Sequence, residues 1–99
     1  MKVLFSEEAR SDLLRIGNYI AKDNPVRALR FVRELRSQAF KLKLMPRAFP
    51  VLARYQSSGL RRRVFRNYLI FYKIEPEQIV IVSILHGAQD YEAVLSPDA

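Results

Sequence analysis

The sequence contains no cysteine and a single histidine, His86. The first absence excludes disulfides and thiolate–metal sites, and together they leave no usual zinc-ligand set. No run approaches the ~20 apolar residues of a membrane span. The N-terminus lacks the apolar core of a signal peptide. A cytoplasmic chain without cofactor, metal or membrane partner is the expectation. Acid is missing too: between Glu34 and Glu75 there is neither Asp nor Glu. That interval carries Arg36, Lys41, Lys43, Arg47, Arg54, Arg61, Arg62, Arg63, Arg66 and Lys73, in a chain of net charge +7. Such a field draws anionic partners, nucleic acid or acidic protein; it also serves as a solvated surface.

What is present fits one domain spanning residues 1–99, with a tail from 86 to 99. The 49% hydrophobic and 11% aromatic content is that of a folded chain with one modest core. Residues 2–5 (KVLF) read as a short strand. Ser6 is placed to cap a helix that carries Glu7 and Glu8 in its first turn. Ala9, Leu13, Ile16 and Ile20 then form one apolar stripe of helical period. Asn24 and Pro25 restart the chain as cap and first position of a second helix. Its stripe, Ala28, Val32, Leu35, Ala39 and Leu42, is widened by Phe31 and Phe40, and the helix is predicted to run to about Leu44. So short a junction makes the pair an antiparallel hairpin, and neither stripe is buried without a further layer.

Residues 45–58 hold two prolines and a serine pair and read as a loop. Strands are predicted over 60–66, 68–75 and 78–85, with tight turns at Arg66-Asn67 and Pro76-Glu77, hence an antiparallel meander. The run IVIVSIL (79–85) is apolar on both faces, as in a strand covered on both sides. The predicted fold is α+β, in the order β-α-α-β-β-β. A helix hairpin packs on a mainly antiparallel four-stranded sheet that the N-terminal strand joins. A turn of helix is expected around Asp90–Leu95.

The stretch GLRRRVFRNYLIFYKI (59–74) is cationic at its start and oily at its end. Alternation puts Leu60, Arg62, Val64 and Arg66 on one face and Arg61, Arg63 and Phe65 on the other. Arginine without partners is costly to bury, so at least one face meets water or a ligand. Two readings stand: charges that protect a sheet edge from aggregation, and a surface that meets carboxylates through the planar guanidinium fork.

The chain resembles ParE-type toxins of the RelE/ParE superfamily. The likeness is carried by Asp12-Leu13 with Ile16, Tyr19-Ile20-Ala21, Asp23-Asn24-Pro25, Phe49-Pro50, Gly59-Leu60-Arg61, the run from Phe65 to Tyr72, and the string from Ile84 to Asp90. The resemblance implies the toxin of a type II toxin–antitoxin pair. Its antitoxin would be a small DNA-binding protein with a flexible, often acidic C-terminal segment. ParE relatives poison DNA gyrase, whereas RelE relatives cut messenger RNA on the ribosome, and one scaffold supports both. Antitoxin contacts are expected from Arg61, Arg62, Arg63, Arg66, Phe31 and Leu35, and target contacts from Arg63, Arg66, His86, Asp90 and Tyr91. A nuclease would instead need His86, Arg61, Arg63 and Tyr91, with Glu92 nearby, as its acid, base and phosphate-holding groups. The histidine is followed by Gly87-Ala88, where some nuclease relatives place an aromatic, and the His-Gly-Ala-x-Asp string resembles the ParE branch. Tyr68, Phe71 and Tyr72 are expected in the core, so nucleic acid is reached only through the target.

Overall fold

The caps written into the sequence set both helices. A computed structural model describes residues 1–95. The first strand, β1 (Lys2–Phe5), ends at Ser6, whose hydroxyl accepts from the Ala9 amide at 3.0 Å and opens α1 (Glu7–Ala21). Asn24 accepts from the Arg27 amide at 3.0 Å and opens α2 (Pro25–Phe40). The α-helix stops at Phe40, earlier than predicted, but the chain continues as a 3-10 turn over Lys41–Leu44 that still buries Leu42. The apolar stripe therefore persists although the helix type changes. Gly17 lets the helices approach closely, since a Cβ there would stand 3.1 Å from Val32 Cγ2.

The remaining strands are β2 (Arg61–Phe65), β3 (Tyr68–Ile74) and β4 (Gln78–His86), followed by one turn of helix, α3 (Tyr91–Val94). Their order in the sheet is β1-β4-β3-β2. The last three form the expected antiparallel meander, and β1 joins parallel to β4. That placement makes β4 a central strand and β2 an edge.

On one face of the sheet, Val3, Ile70, Tyr72, Ile79, Ile81 and Ile84 pack against Ala9, Leu13, Ile16, Phe31, Leu35, Ala39 and Leu42 of the helical layer. The other face carries a second core of Tyr55, Leu60, Leu69, Phe71, Leu85 and Leu95, with Leu52, Val82 and Tyr91 at its margin. The 45–58 segment is thus more than a connector. A short 3-10 turn at Ala53–Tyr55 and the bridge from Val51 to Arg61 hold it over the sheet. This second cover accounts for the two-sided apolar character of β4. A bulge, in which Phe71 pairs with Ser83 and Tyr72 with Ile81, breaks the alternation. Ile79, Ile81 and Ile84 consequently face the helices while Val82 and Leu85 face away.

One charged residue is buried at the junction of helix and sheet. Asp12 is 1% exposed, and its carboxylate accepts from Ser83 Oγ and the Ile84 amide, both at 2.8 Å, and from Arg15 at 2.8 Å. The cause lies in strand length. β1 pairs with residues 78–81 only, so beyond Ile81 one side of β4 has no neighbouring strand. Ser6 donates from its amide to Ile81 O at 3.0 Å and from its hydroxyl to Val82 O at 2.9 Å, and Asp12 takes the Ile84 amide. The first turns of α1 thereby satisfy backbone groups that a longer β1 would have paired.

Replacing Asp12 by Ala strands the buried Ile84 amide and Ser83 hydroxyl, and is expected to cost about 3 kcal/mol in urea unfolding. Arg15→Ala, at the solvent end of the same pair, is expected to cost less than about 1 kcal/mol. Equal losses for the two variants would remove the strand-end role of Asp12.

Candidate functional site

The arginine ribbon is engaged with the protein's own backbone and rings. On the helical side of β2, Arg61 donates to the Phe49 carbonyl. Arg63 donates to Gln38 O at 3.0 Å, with its guanidinium 5.4 Å from the Phe49 ring centroid. Gln38 lies in the last turn of α2, so Arg63 brings a cation to that helix's C-terminus, where the dipole favours it. On the opposite face Arg62 donates to the Tyr91 hydroxyl at 3.3 Å and lies over its ring at 5.8 Å. None of these three meets a carboxylate: the ion pairs among the described residues are Arg15–Asp12, Arg54–Glu92 and Arg66–Glu34. Arg61, Arg62 and Arg63 are half-buried pins that keep their charge. Arg66 differs. It occupies the β2–β3 turn at φ 53°, a left-handed conformation unusual for arginine, and reaches Glu34 at 3.3 Å.

Two grooves open on the helix hairpin and share no lining residue. The first, about 870 Å³, lies at the hairpin's mouth, between the α1–α2 junction, the β2–β3 turn and the end of β4. Ile16, Ile20, Phe31 and Tyr68 give it an apolar floor, and its charged lining residues are Asp23, Arg27, and Arg15 and Arg66, the last two held in ion pairs with Asp12 and Glu34. The Tyr68 ring packs between Phe31 and His86, with centroids 5.4 and 5.1 Å away. Its phenol is pushed above the usual 10.0 by burial and by the nearby Tyr19 hydroxyl, with Arg15 pulling the other way, so it is a neutral donor at physiological pH. His86 Nδ1 accepts from the Ala88 amide at 3.0 Å, which leaves Nε2–H as the free donor.

The second groove, about 630 Å³, lies on the outer face of the hairpin. Leu13, Leu14, Ala28, Leu29 and Val32 are among its lining residues, and its charged ones, Arg10, Arg33 and Arg36, are all cationic. Leu14 is 69% and Leu29 64% exposed.

The residues singled out in the sequence are only partly brought together. Arg66 and His86 share the mouth groove. Phe31 is its buried floor, and Leu35 is fully buried in the core. As a surface contact Leu35 is therefore a correction: it sits on the stripe that the sheet covers, with no surface left for a partner. Arg63 points to the far end of α2, and Asp90 is exposed beyond β4. Tyr91 packs on Phe71 at 5.2 Å, on the face opposite the Tyr68–His86 pair. The set His86, Arg61, Arg63 and Tyr91 is thus split across the sheet, and Glu92 is paired with Arg54 at 3.2 Å. No three carboxylate or imidazole groups cluster as metal ligands among the described residues. Phe71 and Tyr72 are fully buried core rings; burial pushes the Tyr72 phenol upward against Arg61 and Arg63, and it donates to Pro46 O at 2.7 Å. Sequence reasoning missed Arg15, Tyr19 and Arg27 at the mouth and Arg10, Arg33 and Arg36 outside. The available signal was Leu14 and Leu29, two leucines lying off the buried stripes.

The family model described as the ParE toxin of the parDE type II toxin–antitoxin system matches residues 3–91. A chain from a chromosomal ParDE system of P. aeruginosa superposes with a TM-score of 0.75 at 20% identity, over 87% of this chain and 95% of that one. A chain of the RelBE2 toxin–antitoxin complex of Mycobacterium tuberculosis superposes with a TM-score of 0.63 at 27% identity, over 89% and 92%. The first likeness is one of fold. The sequence matches no curated protein.

Arg66 holds a backbone conformation that glycine adopts without strain, at a cost of about 1 kcal/mol. Arg66→Gly is therefore expected to leave the urea midpoint unchanged or slightly raised, despite losing the exposed Glu34 pair. A fall in stability of more than about 1 kcal/mol would mean that the side chain serves the fold rather than the groove.

Proposed function

The chain belongs to the ParE toxin family of type II toxin–antitoxin systems, and from that membership we propose that it inhibits DNA gyrase without catalysis of its own and is neutralised by a cognate antitoxin. The observation that carries the non-catalytic reading is the separation of His86 from Tyr91 by the sheet. Phosphodiester cleavage needs a proton acceptor and a proton donor at one phosphate. Here the imidazole Nδ1 is occupied by a backbone amide and the tyrosine lies on the other face.

The outer hairpin groove is our proposed antitoxin seat. It joins an apolar floor to a rim of Arg10, Arg33 and Arg36 with no acid among its lining residues. That combination fits an amphipathic segment with carboxylates beside its apolar face. A second copy of this chain would bring the same arginines against their equivalents, which opposes symmetric pairing there. Beyond the Val51–Arg61 bridge, the outer edge of β2 around Val64, 59% exposed, offers a further stretch for the antitoxin chain.

Two experiments test these assignments. The triple variant Arg10→Glu, Arg33→Glu, Arg36→Glu is expected to weaken antitoxin binding by about 10- to 100-fold, at about 0.5–1 kcal/mol per rim contact. Its salt dependence should flatten as well. Unchanged affinity and slope would move the interface elsewhere. Separately, purified toxin with gyrase, supercoiled plasmid and ATP is expected to accumulate cleaved DNA, while a message on programmed ribosomes stays intact. Cut message with unaffected gyrase would establish the RelE-like activity instead.

A further inference from the structure

We infer that two copies of this chain pair through the outer edge of β1, antiparallel about a two-fold axis at Leu4, and so join their sheets. The inference is independent of the antitoxin and gyrase readings, because β1 lines neither groove and lies on the sheet edge opposite β2.

The bond from the Ser6 amide to Ile81 O, at 3.0 Å, fixes which way each residue of β1 faces. In a parallel ladder, alternate residues turn both backbone groups to the neighbouring strand. Lys2, Leu4 and Ser6 therefore face β4. Val3 and Phe5 turn their amides and carbonyls outward, where no strand follows. These four groups have no backbone partner among the described residues. The side chains of Val3 and Phe5 pack in the helical core, so Leu4 points to the other face, and there it is 41% exposed.

Two residues that each offer a donor and an acceptor, with one residue between them, are their own complement. About a two-fold axis through Leu4, Val3 of one copy exchanges both bonds with Phe5 of the other. The two Leu4 residues then form a non-bonded pair, the kind whose side chains stand closer. The same register sets Lys2 opposite Ser6 of the second copy, next to its Glu7 and Glu8. Both acids are exposed, and neither holds an ion pair among the described residues. The two lysines stand at opposite ends of the joint, so like charges are kept apart. On the helical side, Phe40, 39% exposed, packs edge-on against Phe5 at 5.5 Å and gives the joint an apolar border. Lysine on a short edge strand ordinarily hinders pairing. Here the two-fold register supplies acids for it, which a strand without them would not, and this charge match selects a second copy as the occupant. The joint uses both β1 edges, so assembly closes at two copies. Two bonded Val3–Phe5 pairs and one leucine pair make a small contact, which sets the dissociation constant at about 0.1 mM.

The test is sedimentation equilibrium of the untagged full chain from about 20 µM to about 1 mM, with amide exchange followed on the ¹⁵N-labelled protein. The mean mass is expected to rise from one chain toward two. Exchange at the Val3 and Phe5 amides should slow with concentration, while the Leu4 amide, already bonded to β4, should not change. Lys2→Glu, and separately the double variant Glu7→Lys, Glu8→Lys, should each weaken association about tenfold. An equimolar mixture of the two should regain it, since every cation then meets an acid again. Leu4→Asp, at an exposed position, sets two carboxylates side by side on the axis and should lower association below detection. Amide spectra report whether each variant is folded, and Leu4→Asp carries the test alone if the double variant is not. Four results would overturn the inference: the mass of one chain throughout, exchange slowed at Leu14 and Leu29 or at Val64 in place of Val3 and Phe5, a mixture of folded variants that associates no better than its components, or association untouched by Leu4→Asp.

Discussion

A four-residue strand laid beside a nine-residue one is the constraint on which the rest of this structure depends. β1 runs out at Phe5, opposite Ile81, and the chain turns at once into α1. The buried half of β4 beyond that point still carries polar backbone groups, which cannot be left unpaired without a cost of about 1–3 kcal/mol each. Ser6 and Asp12 meet that requirement from the helix. Ser6 serves twice, capping α1 and closing the strand edge, so helix start and sheet end are fixed together. The bulge in β4 falls at the same place, where the neighbour changes from strand to helix. β4 stays buried through Leu85 and emerges only at His86, beside the mouth groove.

The cationic surface is organised by the same economy of partners. With 17 basic residues against 10 acidic ones, carboxylates cannot neutralise every cation. Arg61, Arg62 and Arg63 find backbone carbonyls and aromatic faces instead. Each ties a neighbouring segment to β2: Arg61 the 45–58 loop, Arg63 the end of α2, and Arg62 the turn of α3. Such contacts satisfy donors without cancelling charge, so the ribbon can be structural and still project a positive field. The edge-protection and anion-attraction readings of this stretch are therefore compatible physically, since one set of side chains supplies both.

Much of this was legible because it repeats. Ala9, Leu13 and Ile16 keep helical period, and Ser6, Asn24 and Pro25 are caps whose chemistry is local. Tight turns at Arg66-Asn67 and Pro76-Glu77 fixed three strands to within a residue or so of those observed, and the β-α-α-β-β-β order followed. What escaped depends on distant partners. Asp12 reads as a polar position beside an apolar stripe, and only the short reach of β1 makes it a buried ligand for β4. The prolines of 45–58 announced a loop, and nothing local said that Leu52 and Tyr55 within it cover a second core. Leu35 has the pattern of any stripe residue, which cannot distinguish a face waiting for a partner from one already packed on the sheet. The grooves were least visible, because each is built from residues on separate elements.

The helical period also divides the hairpin's surface. On α1, residues 10, 13, 14, 17, 18 and 21 line the outer groove, whereas 15, 16, 19 and 20 line the mouth. A rotation of about 100° per residue makes the two faces mutually exclusive. The close Gly17–Val32 approach holds the two helices against each other between them. A partner confined to the outer groove consequently leaves the mouth uncovered, and one confined to the mouth leaves Leu14 and Leu29 in water. Full coverage of the hairpin requires a chain long enough to pass the Asp23–Pro25 junction, where the two grooves come within two residues of each other. A flexible segment meets that demand better than a rigid domain, because it can bend at the junction. The cost of ordering it is spread over both.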